Sequence, residues 1–285
     1  MAHSARSPGL IHSVVHTVRR WVAPEGRQAQ RADAHARHAD RFEPHPSRHP
    51  HAWWPGRPLN QAVPAHRTNT PEEFQRALAS GRNFFEGDVR VSVDPPHHLE
   101  MRHDKDPGDT KNLSLREWLA RGKAAGVGLK LDIKEADQLP ELIREVQAAH
   151  LDDHLLMLNL GSVTMAREGA ELRRLFPHAT LALNPGHLEP FSANVQPMID
   201  LARRLGGPVT FVLRNDLVDA ATVKQLEAVG PVSIWNEPEI DGNSNLRRRA
   251  HELRALGATG VVDLRRPPSP SIFERVSGFV SDLLG

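Results

Sequence analysis

A (β/α)8 TIM barrel behind an irregular N-terminal extension is the fold that this sequence predicts, on three observations. From Val63 onward, eight short apolar runs alternate with helical stretches of about ten to fifteen residues, spread over about 220 residues. Nearly every run ends in a polar or charged residue, as the converging strand ends of a barrel mouth do and as packing alone would not demand. An open doubly wound sheet needs a glycine-rich phosphate turn after its first strand, and the chain offers His66-Arg67-Thr68-Asn69 there instead.

The chain divides by composition into residues 1–61 and 62–285. The first part mixes Ala, Arg, His and Pro without period, as in His45-Pro46-Ser47-Arg48-His49-Pro50-His51, with one amphipathic turn at 11–22. Such a breaker-rich stretch predicts an extension without a packed core rather than a histidine metal tract. Its basic, acid-poor start, with Glu25 as the first acid, also resembles an organelle transit peptide. Strands are expected at 63–67, 84–91, 127–133, 155–160, 180–184, 209–213, 232–235 and 260–264. Between them, apolar residues recur at helical spacing, for example Leu139, Leu142, Ile143 and Val146, or Leu246, Ala250, Leu253 and Leu256. Thr70-Pro71-Glu72-Glu73 sets cap, first-turn proline and capping-box glutamate in order, which fixes a helix start after the first strand. After Arg265, a proline turn and an amphipathic stretch at 272–284 predict a closing helix.

Composition narrows the function. With no cysteine among 285 residues there is no disulfide, thiolate nucleophile or cysteine-based zinc site. A net charge of +1 argues against nucleic-acid binding by bulk electrostatics. No run of about 18 apolar residues occurs. Histidines interrupt Ile11-His12-Ser13-Val14-Val15-His16, so the expected location is cytoplasmic.

The chemistry concentrates on two strands. Side chains two apart on a strand share a face, so Glu86 and Asp88 point one way, as do Lys130 and Asp132, while Phe85, Val89, Leu129 and Leu131 point the other. Three carboxylates and an ammonium on neighbouring strands are costly to bury without counter-charge, which points to a hard metal ion for the acids and an anionic partner for the lysine. Strand ends add His66, Arg67, Asn159, Asn184, Arg214, Trp235, Asn236, Asp263 and Arg265, and the loop after the second strand adds His103 in Arg102-His103-Asp104. Imidazole titrates near neutral pH, which suits His66 and His103 to proton transfer. Plainer readings are an ion pair between Lys130 and Asp132, a core role for Trp235 and an exposed turn for His97 and His98.

His66-Arg67, then Glu86-x-Asp88, then His103-Asp104, together with Lys130-Leu131-Asp132, resemble the signature of glycerophosphodiester phosphodiesterases and the wider phospholipase C-like phosphodiesterase barrels. The menorin family is more similar still, in Ala65-His66-Arg67-x-Asn69, Leu115-x-Glu117-Trp118-Leu119, Gly128-Leu129-Lys130-Leu131-Asp132-Ile133-Lys134, Pro208-Val209-Thr210-Phe211 and Ile234-Trp235. The resemblance implies that Glu86, Asp88 and Asp132 hold one divalent cation, Mg2+ or Ca2+, and that Arg67 and Lys130 meet phosphodiester oxygens. It implies His66 and His103 as the acid/base pair and Trp235 as a substrate contact. The implied substrate is a glycerophosphodiester or lysophospholipid, and attack by an internal hydroxyl would give a cyclic phosphate. Two departures stand out: Thr68 where the phosphodiesterases usually carry glycine, and Asp132 where many carry glutamate. Both agree with the menorin branch, whose activity is less secure than its fold. The alternatives are therefore a non-catalytic barrel that binds a phosphorylated ligand or protein, and a barrel lyase using Lys130 as a Schiff base.

Overall fold

The computed structural model describes residues 57–106, 111–184, 195–238 and 245–266. The expected extension up to residue 56 and the expected helix at 272–284 lie outside the described residues. The chain runs β1 (Pro64–Ala65), α1 (Pro71–Ala79), β2 (Phe84–Val91), β3 (Leu99–Met101), α2 (Leu115–Ala125), β4 (Gly128–Ile133), α3 (Leu139–Ala148) and β5 (Leu156–Gly161). It continues with α4 (Ser162–Leu175), β6 (Thr180–Asn184), α5 (Gln196–Leu205), β7 (Val209–Arg214), α6 (Ala220–Glu227), β8 (Val232–Trp235), α7 (Leu246–Ala255) and β9 (Val262–Asp263). Eight of the strands pair in parallel in the order β1-β2-β4-β5-β6-β7-β8-β9, and β9 lies beside β1, so the predicted barrel is the fold observed. Among the described residues no helix is long and apolar enough to cross a membrane.

Alternation sorts the strand residues into two apolar layers. Phe85, Val89, Leu129, Leu131, Leu158, Leu181 and Phe211 join the large core with helix residues such as Phe74, Trp118 and Leu142. The opposite faces supply Phe84, Met157, Ala182, Val212 and Val261, which fill the barrel interior with Leu59 and Ala62. Burying a side chain of this size stabilises by about 1.5–3 kcal/mol, so the two layers supply most of what holds the fold. The capping box predicted for α1 forms, since Thr70 accepts from the Glu73 amide at 3.2 Å and Glu73 Oε2 accepts from the Thr70 amide at 3.0 Å. A second box, Ser114 with Glu117, starts α2, and Gly126 at φ 61° ends it in the left-handed conformation.

Three expectations need correction. The first strand is two residues long rather than five: its ladder with β2 ends at Ala65, and the chain then turns away at Arg67, whose φ is 53°. The last strand is likewise two residues rather than five. Between β2 and α2 the chain forms an unexpected antiparallel strand, β3, which pairs with Val89–Val91 beyond the reach of β1. His103 therefore follows β3 rather than β2 directly. His97 and His98 are exposed, as expected of a turn.

The approach to β9 is sterically tight. A Cβ added at Gly260 would lie 2.4 Å from Ser233 Oγ and 2.5 Å from both Ser233 N and Val232 C. Backbone cannot give way there as a side-chain tip can. Gly260→Ala is expected to lower stability by about 1–3 kcal/mol, read as a shift in the urea midpoint. An unchanged midpoint would show that this seam tolerates what its geometry forbids.

Candidate active site

Parallel register between β2 and β4 sets Glu86 opposite Lys130 and Asp88 opposite Asp132, and β5 sets Asn159 opposite Asp132. All five point into one cavity of about 580 Å3 at the barrel mouth, which His66, Arg67, His103 and Trp235 also line. The structure thus brings together the eight residues to which the family resemblance gave roles in the site. Phe84, Met157, Val212, Ile234 and Val261 form the apolar part of its wall.

The loop after β1 is held from below. The Arg67 amide donates to Glu86 Oε2 at 2.8 Å, a bond that the left-handed turn at Arg67 makes reachable. The Thr68 amide and hydroxyl both donate to the Glu86 carbonyl, at 2.8 and 2.9 Å. The Trp118 indole of α2 donates in turn to the Thr68 carbonyl at 2.8 Å. Thr68 therefore fills its position with a hydroxyl that is bonded, not with idle bulk. Asn69 spans the backbone and carboxylate of one residue, donating to Asp88 Oδ2 at 2.9 Å and accepting from the Asp88 amide at 3.0 Å.

Both histidines have Nδ1 on carboxylates. His66 Nδ1 lies 3.1 Å from Glu86 Oε2 and 3.2 Å from Asp263 Oδ2, so Asp263 joins the site with a role that its strand-end position alone did not specify. The contact spans the β1–β9 seam. His103 Nδ1 lies 2.7 Å from Asp104 Oδ1, and its Nε2 lies 2.8 Å from Arg67 Nη2. A guanidinium only donates, so His103 Nε2 accepts and Nδ1 carries the proton toward Asp104. Two arginines anchor this segment: the Arg102 amide donates to the Asp88 carbonyl at 2.7 Å, and Arg90 Nε donates to the His103 carbonyl at 2.9 Å. Arg102 is itself buried and its guanidinium reaches the carbonyls of Val91, Asp104 and Lys105.

The acids differ in their surroundings. Candidate ligand oxygens of Glu86, Asp88 and Asp132 all lie within 4.8 Å of one another, and a donor set made only of carboxylate oxygen fits a hard divalent cation. Burial pushes the Glu86 carboxyl above its usual range, against the pull of His66 and Lys130. Burial acts in the same direction on Asp88, but Lys134 and the Asn69 amide outweigh it and hold that carboxyl low. Lys134 was assigned no role from sequence. Its Nζ lies 2.6 Å from Asp132 Oδ2 and 2.7 Å from Asp88 Oδ1, and these acids raise its pKa despite burial. The lysine paired with Asp132 is therefore Lys134, whereas Lys130 Nζ stands 4.0 Å from Glu86 Oε1. Strand alternation from Lys130 through Asp132 to Lys134 was the signal that could have found it.

The remaining strand-end residues divide. Asn159, Asn184, Asp263 and Arg265 line the cavity. Asn236 instead fixes Arg265, accepting from its amide at 2.6 Å and donating to its carbonyl at 2.8 Å. Arg214 is engaged by Asp216 at 2.6 Å and Glu237 at 3.4 Å.

Residues 59–159 match the family model described as the menorin N-terminal domain, which bears out the menorin resemblance over the stretch holding all the predicted site residues except Trp235. No curated protein matches the chain. A solved structure from Silicibacter pomeroyi, described as a glycerophosphoryl diester phosphodiesterase, is 17% identical with a TM-score of 0.54, covering 82% of this chain and 95% of its own. One of the same description from Agrobacterium tumefaciens is 14% identical with a TM-score of 0.52, covering 79% and 99%. At these identities the likeness shows a shared barrel fold.

Asp263 supplies a test by pH. Burial opposes its ionisation, but the hydrogen bond and charge of His66, with Lys130 and Arg265, hold its carboxyl below the ordinary 3.8. A lowered carboxyl contributes stability that is fully present above its unfolded value and lost as pH falls through its folded one. The stability gap between the wild type and Asp263→Asn is therefore expected to be full above about pH 4 and to close below it. Urea midpoints at stepped pH would read it, and a gap independent of pH would contradict the ion pair.

Proposed function

We propose that this menorin-like barrel is a phosphoric diester hydrolase that cleaves a glycerophosphodiester or lysophospholipid at its mouth with the help of one divalent cation, Mg2+ or Ca2+. The observation that carries the reading is the pair of histidines, each with Nδ1 on a carboxylate and both lining the cavity that holds the acid trio. With Nδ1 so engaged, Nε2 is the nitrogen of each ring that exchanges protons with substrate. One ring takes the proton of the attacking hydroxyl or water, and the other returns a proton to the leaving oxygen. Attack by a hydroxyl within the substrate would release a cyclic phosphate first.

Arg67 binds phosphoryl oxygen with a planar fork, for which it turns from His103 Nε2, and Lys130 adds a point charge. Glu86, Asp88 and Asp132 would hold the cation, which supplies Lewis-acid polarisation of a phosphoryl oxygen when bound. The apolar wall with Trp235 packs the alcohol portion of the substrate. A second reading, a non-catalytic barrel binding a phosphorylated ligand, is favoured by one observation: Lys134 already neutralises two of the three acids.

Hydrolysis of bis(p-nitrophenyl) phosphate separates the two. The wild type should release nitrophenol with Mg2+ or Ca2+ and not with EDTA, and His66→Ala and His103→Ala should each lower kcat about 100- to 10,000-fold. Glu86→Ala should abolish the metal-dependent release. Release that ignores these changes would sink the mechanism. Absence of release from this ester and from a panel of glycerophosphodiesters and lysolipids would favour the non-catalytic reading.

A further inference from the structure

Each acid of the trio has its oxygens divided between partners. Asp88 Oδ2 accepts from Asn69 Nδ2 at 2.9 Å, and Asp132 Oδ1 accepts from Asn159 Nδ2 at 2.7 Å. The amides thereby turn the other oxygens, Asp88 Oδ1 and Asp132 Oδ2, to one point. Lys134 Nζ occupies that point, 2.7 and 2.6 Å from them. Glu86 completes the arrangement: its Oε2 is taken by the Arg67 amide and faces His66, and its Oε1 faces Lys130 at 4.0 Å.

We propose that Lys134 is a tethered counter-cation of this site: its ammonium bridges Asp88 and Asp132 before a metal arrives, and a divalent cation enters only by displacing it. The proposal rests on the cation reading above. Two facts of geometry and charge support it. The ammonium uses the oxygens that a cation bridging these aspartates would use, and two cations cannot share them at such separations without strong repulsion. Asp88 is 1% exposed, so without the ammonium its charge would be buried with only amide donors for company. Such a tether keeps clustered acids compatible with folding before the ion binds, and lowers the affinity for the ion when it does.

The test reads binding of the metal alone, with no substrate present. Calorimetric titration of Ca2+ and of Mg2+ into Lys134→Met should give a dissociation constant about tenfold or more below that of the wild type. Lys130→Met removes the same charge from the same strand face but not from between the aspartates, and should tighten binding less. A Lys134→Met constant equal to that of the wild type, or shifted no more than that of Lys130→Met, would overturn displacement. Should Lys134→Met fail to fold, the wild type decides: acetylation of Lys134 by acetic anhydride, mapped by mass spectrometry, should rise when Ca2+ saturates the site. Unchanged or reduced labelling would refute release of the amine. If neither the wild type nor Lys134→Met binds Ca2+ or Mg2+, the cation reading falls and this proposal with it. Equal binding by both proteins removes this proposal alone.

Discussion

Parallel pairing of β2 with β4 places Asp88 beside Asp132, two register positions beyond Glu86 beside Lys130, and the surroundings of the site are built to make that tolerable. Two like charges 4 Å apart repel by about 4 kcal/mol at an effective dielectric of 20, a large share of the stability of any single domain. The chain answers from several directions. β1 stops early so that backbone donors of the next loop reach Glu86. Asn69 and Asn159 donate to the two aspartates, and Lys134 lies between them. The result separates the acids: Asp88 is held as a carboxylate by its cation, while buried Glu86 resists ionisation. For the cation site proposed above, carboxyls that are not equivalent give the acids different readiness to take up positive charge.

Barrel closure and the proposed proton chemistry share a residue, His66. His66 stands at the end of β1 and Asp263 at the end of β9, and their contact crosses the seam between the first and last strands. At the other end of that seam, Arg254 of α7 donates to the carbonyls of Ala258 and Gly260 and reaches the Asn60 carbonyl at 3.4 Å. Burial pulls the Arg254 pKa down to about 10, which leaves it charged at any physiological pH. The orientation of His66 is therefore set by how the two ends of the sheet meet, as well as by its neighbour Glu86.

Much of this was legible in the chain because period-two alternation is local. Residues 84–91 and 128–133 announced both their faces, and the capping box at Thr70 announced the start of α1. The parts that escaped depend on tertiary partners. β3 is three residues long and exists because β2 runs on beyond β1 and leaves an edge to pair. Asp263 was visible as a strand end, but its partner lies 197 residues away and no spacing rule reaches that far. Thr68 read as a departure from the phosphodiesterase pattern, and only the positions of Glu86 and Trp118 give its hydroxyl a purpose. Lys134 was within reach of the same alternation that found Lys130, but it lies one residue past the strand, where alternation stops being a reliable guide.

The glycine between the two acids of β2 shows how the core sets the site. A Cβ at Gly87 would lie 2.4 Å from Met101 Cε and 3.2 Å from both Asn69 Oδ1 and Trp118 Cε2. Because that Cβ is missing, Trp118 packs directly on the back of the strand, edge-on to Phe74, and its indole nitrogen reaches Thr68. Asn69 closes in from the same side and holds Asp88 by both amide and carboxylate. The apolar face of β2 and the acidic face thus meet through one residue with no side chain. Position and charge of the carboxylates follow from packing behind them, so a change that merely enlarges residue 87 would disturb the site without touching any group that carries its chemistry.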